Sequence, residues 1–376
     1  MDPCYDACPL VLTVVADDLT GACDTGSLFA GPGPVPVTVW PGLPPDAPVR
    51  VVDTETRGLP AAEAVARVGA AARACPADRF FKKIDSTLRG RIGAEVEALM
   101  VAAGLRTAVL CPAFPSQGRT VMDRILTLDG QPVALTPIAH DPAFPTLPGR
   151  EGSSSVVDLL RPQLDRPVAW IPLDHVRAGT TTLSARLERL AGTVTIADAQ
   201  SDGDLEALAE AALAVAPVPL LVGSAGLAQA LARILRLGAD PPRVPAGRRW
   251  LVLAGSRHPA TRRQISVARQ AGIQVLSTPE AEQPDRLATA ARLAAKACAL
   301  LERETFDLVV VTGGETAVAL YAALDAERID LVGTPAPGLA LGCLRAHRVS
   351  PPSSATRKPD RAGEPTCTPS RCATGS

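Results

Sequence analysis

Short apolar runs that stop abruptly at Gly, Pro or Asp recur along the chain, and several lead straight into Ala/Leu-rich segments with helical spacing. The stretch VTIADAQSDGDLEALAEAALAVAPVPLLVGSAGLAQALARIL carries two such units back to back. A strand that returns parallel to its neighbour needs a long crossover, usually a helix, so the alternation predicts βαβ units rather than a sandwich. The expected fold class is α/β, with two domains built on mainly parallel sheets. At 376 residues the chain exceeds the usual span of one hydrophobic core. Periodic apolar residues give way to Pro, Gly and Arg in RLGADPPRVPAGRR, residues 236–249, which puts a boundary there. An N-terminal domain is therefore expected over 1–240 and a C-terminal domain over 248–342. Between Gln117 and Ala169 the chain turns Pro-, Thr- and Asp-rich with short β-like pieces such as QPVALTPI, which predicts a β-rich insertion on the first domain.

Charge and composition narrow the function. A net charge of −1, with both signs interspersed, lacks the electrostatic footprint of a nucleic-acid binder. No apolar run reaches the roughly 18 to 20 residues of a membrane span, and the opening MDPCYDACPL lacks the basic and apolar regions of a signal peptide. A cytoplasmic protein is expected. The nine cysteines form no CxxC pair, and the four histidines, His140, His175, His258 and His347, are far apart, which gives zinc chemistry little support.

Open α/β sheets bind ligands beyond the carboxyl ends of their strands, so the loops after the apolar runs are where function is sought. In VVADDLTGACDTG, residues 14–26, Asp17 and Asp18 stand side by side between a strand and a helix. Such a pair suits holding a polyhydroxylated ligand, binding Mg²⁺ or accepting a proton. The plainer alternative has Asp18 capping the helix and Asp17 facing solvent. FFKKIDSTLRGRIGAEVEAL, residues 80–99, gathers Lys82, Lys83, Asp85, Ser86, Thr87, Arg89 and Arg91 at another strand end. That mixture fits an acidic, hydroxylated small molecule, with Ser86 or Thr87 as a helix cap the local alternative. Arg57 in DTETRGLP and Arg119 in FPSQGRT follow other strands and are candidates for clamping a carboxylate. The second half offers glycines instead: AGSRHPAT at 254–261 and TGGETA at 312–317 set Gly turns between strand and helix, where backbone N–H groups cradle phosphate. There is no GxxxxGK[ST] for a P-loop, and no GxGxxG follows a strand.

Taken in order, ADDLTGACDTG, KKIDSTLRGRIG, CPAFPSQGRT, HDPAFP, VGSAGLA, LAGSRHPATRRQI and VVVTGGETA resemble the four-carbon acid sugar kinase family, whose members phosphorylate threonate, erythronate or 3-oxo-tetronate. The resemblance runs from about Val11 to about Gly342. It implies an N-terminal domain that binds the sugar acid and a C-terminal domain that binds ATP, with Mg²⁺ as the accompanying ion. It places Asp17, Asp18, Arg57, Lys83, Asp85 and Ser86 around the acid; Arg89 and Arg119, read from their loops, are further candidates for binding it. Ser256, Gly313, Gly314, Glu315 and Thr316 would contact the nucleotide. Arg57 and Lys83 are expected to pair with the substrate carboxylate, and one of Asp17, Asp18 and Asp85 to take the hydroxyl proton. A homo-oligomer is compatible with this reading.

The family pattern breaks at its end. A closing Lys-x-Gly-Gly-Phe-Gly-like segment has no counterpart after TPAPGLALG. Residues 343–376 are instead rich in Pro, Ser, Arg and Cys and are expected to be disordered, as after a shift of reading frame or in a divergent tail. The alternative function is accordingly a sugar-acid-binding protein without catalysis.

Overall fold

The computed structural model of the protein describes residues 11–31, 33–145, 152–238, 240–245, 247, 249–256, 259–279, 285–347 and 371–375. The first half contributes β1 (Leu12–Ala16), β2 (Val35–Val39), β3 (Val49–Asp53), β4 (Arg79–Lys83) and β5 (Ala108–Cys111). An excursion follows with β6 (Arg119–Met122), β7 (Ile125–Leu128) and β8 (Gln131–Pro132), after which come β9 (Val168–Ile171), β10 (Val194–Ala197) and β11 (Leu220–Gly223). Beyond residues 236–249 lie β12 (Trp250–Ala254), β13 (Gln274–Ser277), β14 (Leu308–Thr312), β15 (Ala326–Ala336), β16 (Leu339–Ala346) and β17 (Arg371–Gly375).

The fold is α/β and mostly parallel. Fourteen strands form one sheet in the order β13-β12-β14-β17-β16-β15-β2-β3-β1-β4-β11-β5-β10-β9. From β2 to β9 every pairing is parallel, as it is from β13 to β17. The antiparallel hairpin β15–β16 joins these blocks, because β15 pairs with β2 through Ile329–Val37 and Leu331–Val35. The hairpin bonds the two halves into one sheet. β1 is buried along its whole length, as a parallel strand covered on both faces must be, which is why LTVVA lacks alternation.

The β-rich insertion is a separate three-stranded antiparallel sheet, β6-β7-β8. Its β6–β7 turn is tied to the end of β10, since the Asp123 and Arg124 amides donate to the Asp198 carboxylate at 2.8 and 3.1 Å.

Regular structure does not stop at Gly342. β16 continues to Ala346 with Cys343 buried, because it is the second arm of a hairpin whose first arm carries the partner hydrogen bonds. Residues 371–375 lie between β14 and β16. The expectation of disorder over 343–376 is therefore corrected at both ends of that stretch; residues 348–370 and 376 lie outside the described residues.

One helix belongs to both halves. Every residue of Leu19–Ser27 is buried. A Cβ on Gly26 would lie 2.9 Å from Val51 of β3 and 2.8 Å from Leu331 of β15, so the helix backbone runs against the first block and the hairpin at once.

Candidate active site

β1 sits between β3 and β4, so the chain departs to opposite sides of it. A crevice opens beyond the carboxyl end of a strand at such a switch point, and Asp17 and Asp18 are the first residues past β1. The register sets Ala16 beside Asp53, and Gly223 beside both Lys83 and Cys111, so the loops after β1, β3, β4, β11 and β5 share one rim.

Arg57 organises the acids on that rim. Its Nε and Nη2 grip Asp17 as a fork at 2.8 and 3.0 Å, and Nη2 also donates to Asp18 Oδ1 at 2.6 Å. Asp85 Oδ1 stands 3.9 Å from Nη2. Burial works to raise the Asp17 pKa, but Arg57, helped by Lys82 and Lys83, outweighs it and holds the carboxyl below its ordinary value. Asp17 is thus buried and ion-paired rather than facing solvent. Asp18 does cap the helix Leu19–Ser27, its Oδ1 accepting from the Gly21 amide at 3.2 Å and its Oδ2 from the Thr20 hydroxyl at 2.9 Å. Gly90, at φ +106°, lets the next loop close over the pair: a Cβ there would lie 3.5 Å from Asp17 Oδ2.

Asp85 is enclosed by its own loop. It accepts from the Thr87 amide and hydroxyl and from Arg89 Nε and Nη2, both at 2.9 Å. Burial opposes its charge, yet Arg57 and Arg89 hold its pKa well below the ordinary carboxylate value. Neither Ser86 nor Thr87 caps the following helix, which begins only at Ile92; Thr87 is turned inward to Asp85. Arg89 also reaches Asp141 of the HDPAFP loop at 3.4 Å. Lys82 is withdrawn from the rim into a fully buried pair with Glu95 at 2.7 Å.

Two cations remain less engaged. Lys83 is 5% exposed, and among the described residues no carboxylate lies within 4.0 Å of its ammonium. A Cβ on Gly21 would meet Lys83 Nζ at 2.7 Å and Asp18 Oδ1 at 2.5 Å, so both groups converge on the first turn of the helix. Arg119 gives Nη1 to the Gln117 carbonyl, but its Nε is buried with no hydrogen-bond partner. Burial pulls the Arg119 pKa down, with Asp85 and Asp129 acting against that and Arg89 adding to it. Ser86 is half-buried.

The second-half residues form their own cradle. β12 and β14 lie in register at Ala254 and Thr312, and the Gly255 amide donates to the Thr312 carbonyl at 2.9 Å. A Cβ on Gly255 would collide with Thr316 Oγ1, and one on Gly313, at φ +101°, would lie 3.2 Å from the Ser256 amide. The two Gly turns are therefore stacked at the N-terminus of the helix Gly314–Ala323, which has no side-chain cap. Glu315 pairs with Arg286 at 3.2 Å.

The two clusters meet. A Cβ on Gly314 would stand 3.4 Å from Asp18 Oδ2 and 3.0 Å from Thr20 Oγ1. The uncapped helix start of the second half thus abuts the carboxylate rim of the first. Sequence reasoning passed over Asp53 and Glu55, which lie just behind Asp18. Their signal was an acid pair two residues apart, immediately before Arg57 in DTETRGLP.

A family model described as a sugar-binding N-terminal domain matches residues 12–231. Full-length relatives extend the match: the chain is 39% identical over 267 residues to a D-threonate kinase of Salmonella typhimurium, covering 68% of this chain and 60% of that protein. It is 33% identical over 380 residues to a D-threonate kinase of Bordetella bronchiseptica, covering 88% and 89%. The chain belongs to the four-carbon acid sugar kinase family. Within the family it is also 33% identical over 282 residues to a 3-oxo-tetronate kinase of Pseudomonas fluorescens, covering 68% of this chain and 63% of that protein. It thus spans about three fifths of the length of the Salmonella and Pseudomonas relatives. A Salmonella typhimurium LT2 crystal structure shares the fold with a TM-score of 0.74 at 23% identity, covering 97% of this chain and 95% of that one. A Bordetella bronchiseptica domain, solved as a domain-swapped dimer with bound citrate, gives 0.51 at 29% identity, covering 97% and 94%.

Proposed function

We propose that the protein transfers the γ-phosphoryl group of ATP to a hydroxyl of a four-carbon sugar acid. The observation that carries this reading is the 3.4 Å approach of Asp18 Oδ2 to the Cβ position of Gly314, which sets a carboxylate against an uncapped, glycine-lined helix start. Relatives named as threonate, erythronate and 3-oxo-tetronate kinases support it. ATP supplies the phosphoryl group, and the cradle fits its phosphates: a side chain would collide at Gly255, be strained at Gly313 and crowd Thr20 at Gly314, and a helix N-terminus with its dipole begins there. Among the described residues no three His, Cys, Asp or Glu are grouped to hold a metal. Mg²⁺ accordingly fits as the nucleotide's ion, held chiefly by phosphate oxygens and water.

The protein's own residues do the rest by position and charge. Asp18, at the meeting point, orients the substrate hydroxyl and takes its proton. Asp17 and Asp85 are held ionised by arginines and keep Arg57 fixed, whereas Asp18 is the one of the three acids that stands against Gly314. Lys83, buried beside Asp18, neutralises charge on the transferring group or the acid. With Nε and Nη2 of Arg57 committed to Asp17 and Asp18, the carboxylate of the substrate passes to Arg119, whose buried Nε lacks a partner, with Arg89 alongside. The first half serves as the acid-binding domain and the second as the nucleotide-binding domain.

A coupled ADP-release screen over the isomers of threonate, erythronate and 3-oxo-tetronate tests the proposal. ADP release dependent on at least one acid is expected. Saturable acid binding without ADP release from any of them would favour the non-catalytic alternative, and preference for neutral sugars would overturn both.

A further inference from the structure

Behind Asp18 lies a second acid pair. Asp53 ends β3, is fully buried, and accepts the Glu55 amide on Oδ1 at 2.9 Å, while its Oδ2 is buried with no hydrogen-bond partner. Glu55 sits at φ +47°, a left-handed conformation unusual for a non-glycine residue. That turn aims its side chain at the start of the Leu19–Ser27 helix, where Oε1 accepts the Leu19 amide at 3.1 Å. Glu55 and Asp18 therefore cap the same helix from two sides, on Leu19 and on Gly21.

We propose that Asp53 and Glu55 are positioning residues: a neutral Asp53 carboxyl steadies an ionised Glu55, which pins the first amide of the helix and so holds Asp18 opposite Gly314. This inference rests on the kinase reading of the Asp18–Gly314 junction. A carboxylate at Asp53 would carry an unsolvated oxygen, whereas a carboxylic acid offers its proton to the adjacent Glu55. Burial, then the charge of Glu55, pushes the Asp53 pKa well above its ordinary value, with Asp18 adding to the effect. Glu55 is also raised by burial and Asp18, with Asp53, the Leu19 amide and Arg57 working to lower it. From the second half Tyr321 senses the charge of Asp53 only weakly; its hydroxyl donates to the Glu327 carbonyl, and burial takes its pKa to about 12, so it stays neutral. The flanking strands present only Ala16 and Val39 at this register.

The test compares wild type with Asp53→Asn, which mimics the neutral carboxyl, and Asp53→Ala, which removes the support. Asp53→Asn is expected to retain kcat within about twofold, and Asp53→Ala to lose at least about tenfold in kcat with little change in KM for the acid. Wild-type kcat should fall as pH rises through the folded Asp53 value, and that limb should vanish in Asp53→Asn. Urea unfolding supplies a readout independent of turnover. A folded pKa above the unfolded one means that wild type loses stability relative to Asp53→Asn as pH rises from the ordinary carboxylate range through the folded value. Equal impairment of the Asn and Ala variants, or parallel stability curves for wild type and Asp53→Asn, would overturn the proposal. If no acid supports ADP release in wild type, the kinase reading fails while the stability curves still decide the state of Asp53.

Discussion

Asp18 and Gly314 face each other across the junction of the two strand blocks, with only 3.4 Å between the carboxylate Oδ2 and the place a Cβ would occupy. The contact joins residues nearly 300 positions apart in the chain, and it exists because β15 bonds to β2 and carries the second block alongside the first. Gly314→Ala should therefore separate fold from function. The new methyl would press on Thr20 Oγ1 at 3.0 Å, so the helix start must shift by a few tenths of an ångström. Melting temperature should change little, because alanine favours a helix by about 0.5–1 kcal/mol over glycine. Turnover should drop by about tenfold or more. Differential scanning calorimetry with steady-state kinetics checks both, and unaltered kcat would place the transfer point elsewhere.

Asp18→Asn keeps the Gly21 cap geometry but removes the basic oxygen. It should lower kcat by about 10²- to 10⁴-fold, the usual size of general-base loss, with the acid still bound. Asp18→Asn with wild-type turnover would show that Asp18 only caps its helix.

Asp85→Asn should behave differently, since Asp85 is enclosed by Thr87 and Arg89. Its folded pKa lies below the unfolded value, so its contribution is fully present above the ordinary carboxylate pKa and is lost as pH falls through that value toward the folded one. Urea unfolding should show the Asn variant less stable at neutral pH by about 1–3 kcal/mol, the cost of a lost charge-assisted bond. The two stability curves should converge as the medium is acidified below about pH 4. Curves that stay parallel would mean Asp85 is not held ionised by Arg57 and Arg89.

Arg57→Ala leaves Asp17 buried without its counter-charge. Removing one partner of a buried pair costs about 3–5 kcal/mol, so the main effect should be on folding, seen as a lowered urea midpoint. If stability is unchanged and only KM for the acid rises, Arg57 is a substrate clamp after all.

Much of the site was readable because β1, β4, β12 and β14 end in abrupt changes of residue type: Ala16 to Asp17, Lys83 to Asp85, Ala254 to Gly255, Thr312 to Gly313. Those boundaries place side chains on a rim without knowledge of the tertiary fold. What they do not show is which charges cancel. Arg57 lies 40 residues from Asp17, and Lys82 and Lys83 are adjacent yet point to opposite sides of a buried strand, one to Glu95 and one toward Asp18. The joining of the halves was likewise hidden, because β15 and β16 read as an ordinary hairpin and nothing local says that β2 is the partner. Glu55 was passed over because its role depends on a left-handed backbone, which sequence pattern marks only for glycine and asparagine.

The most direct test is ³¹P NMR of wild type and Asp18→Asn incubated with Mg²⁺-ATP and the acid that scores highest in the ADP-release screen. The expected result is ADP together with one new phosphomonoester resonance in wild type, with the same product forming at least about a hundredfold more slowly in the variant. ADP and inorganic phosphate appearing with no phosphomonoester, or equal product formation by both proteins, would contradict a transfer site at Asp18 and Gly314.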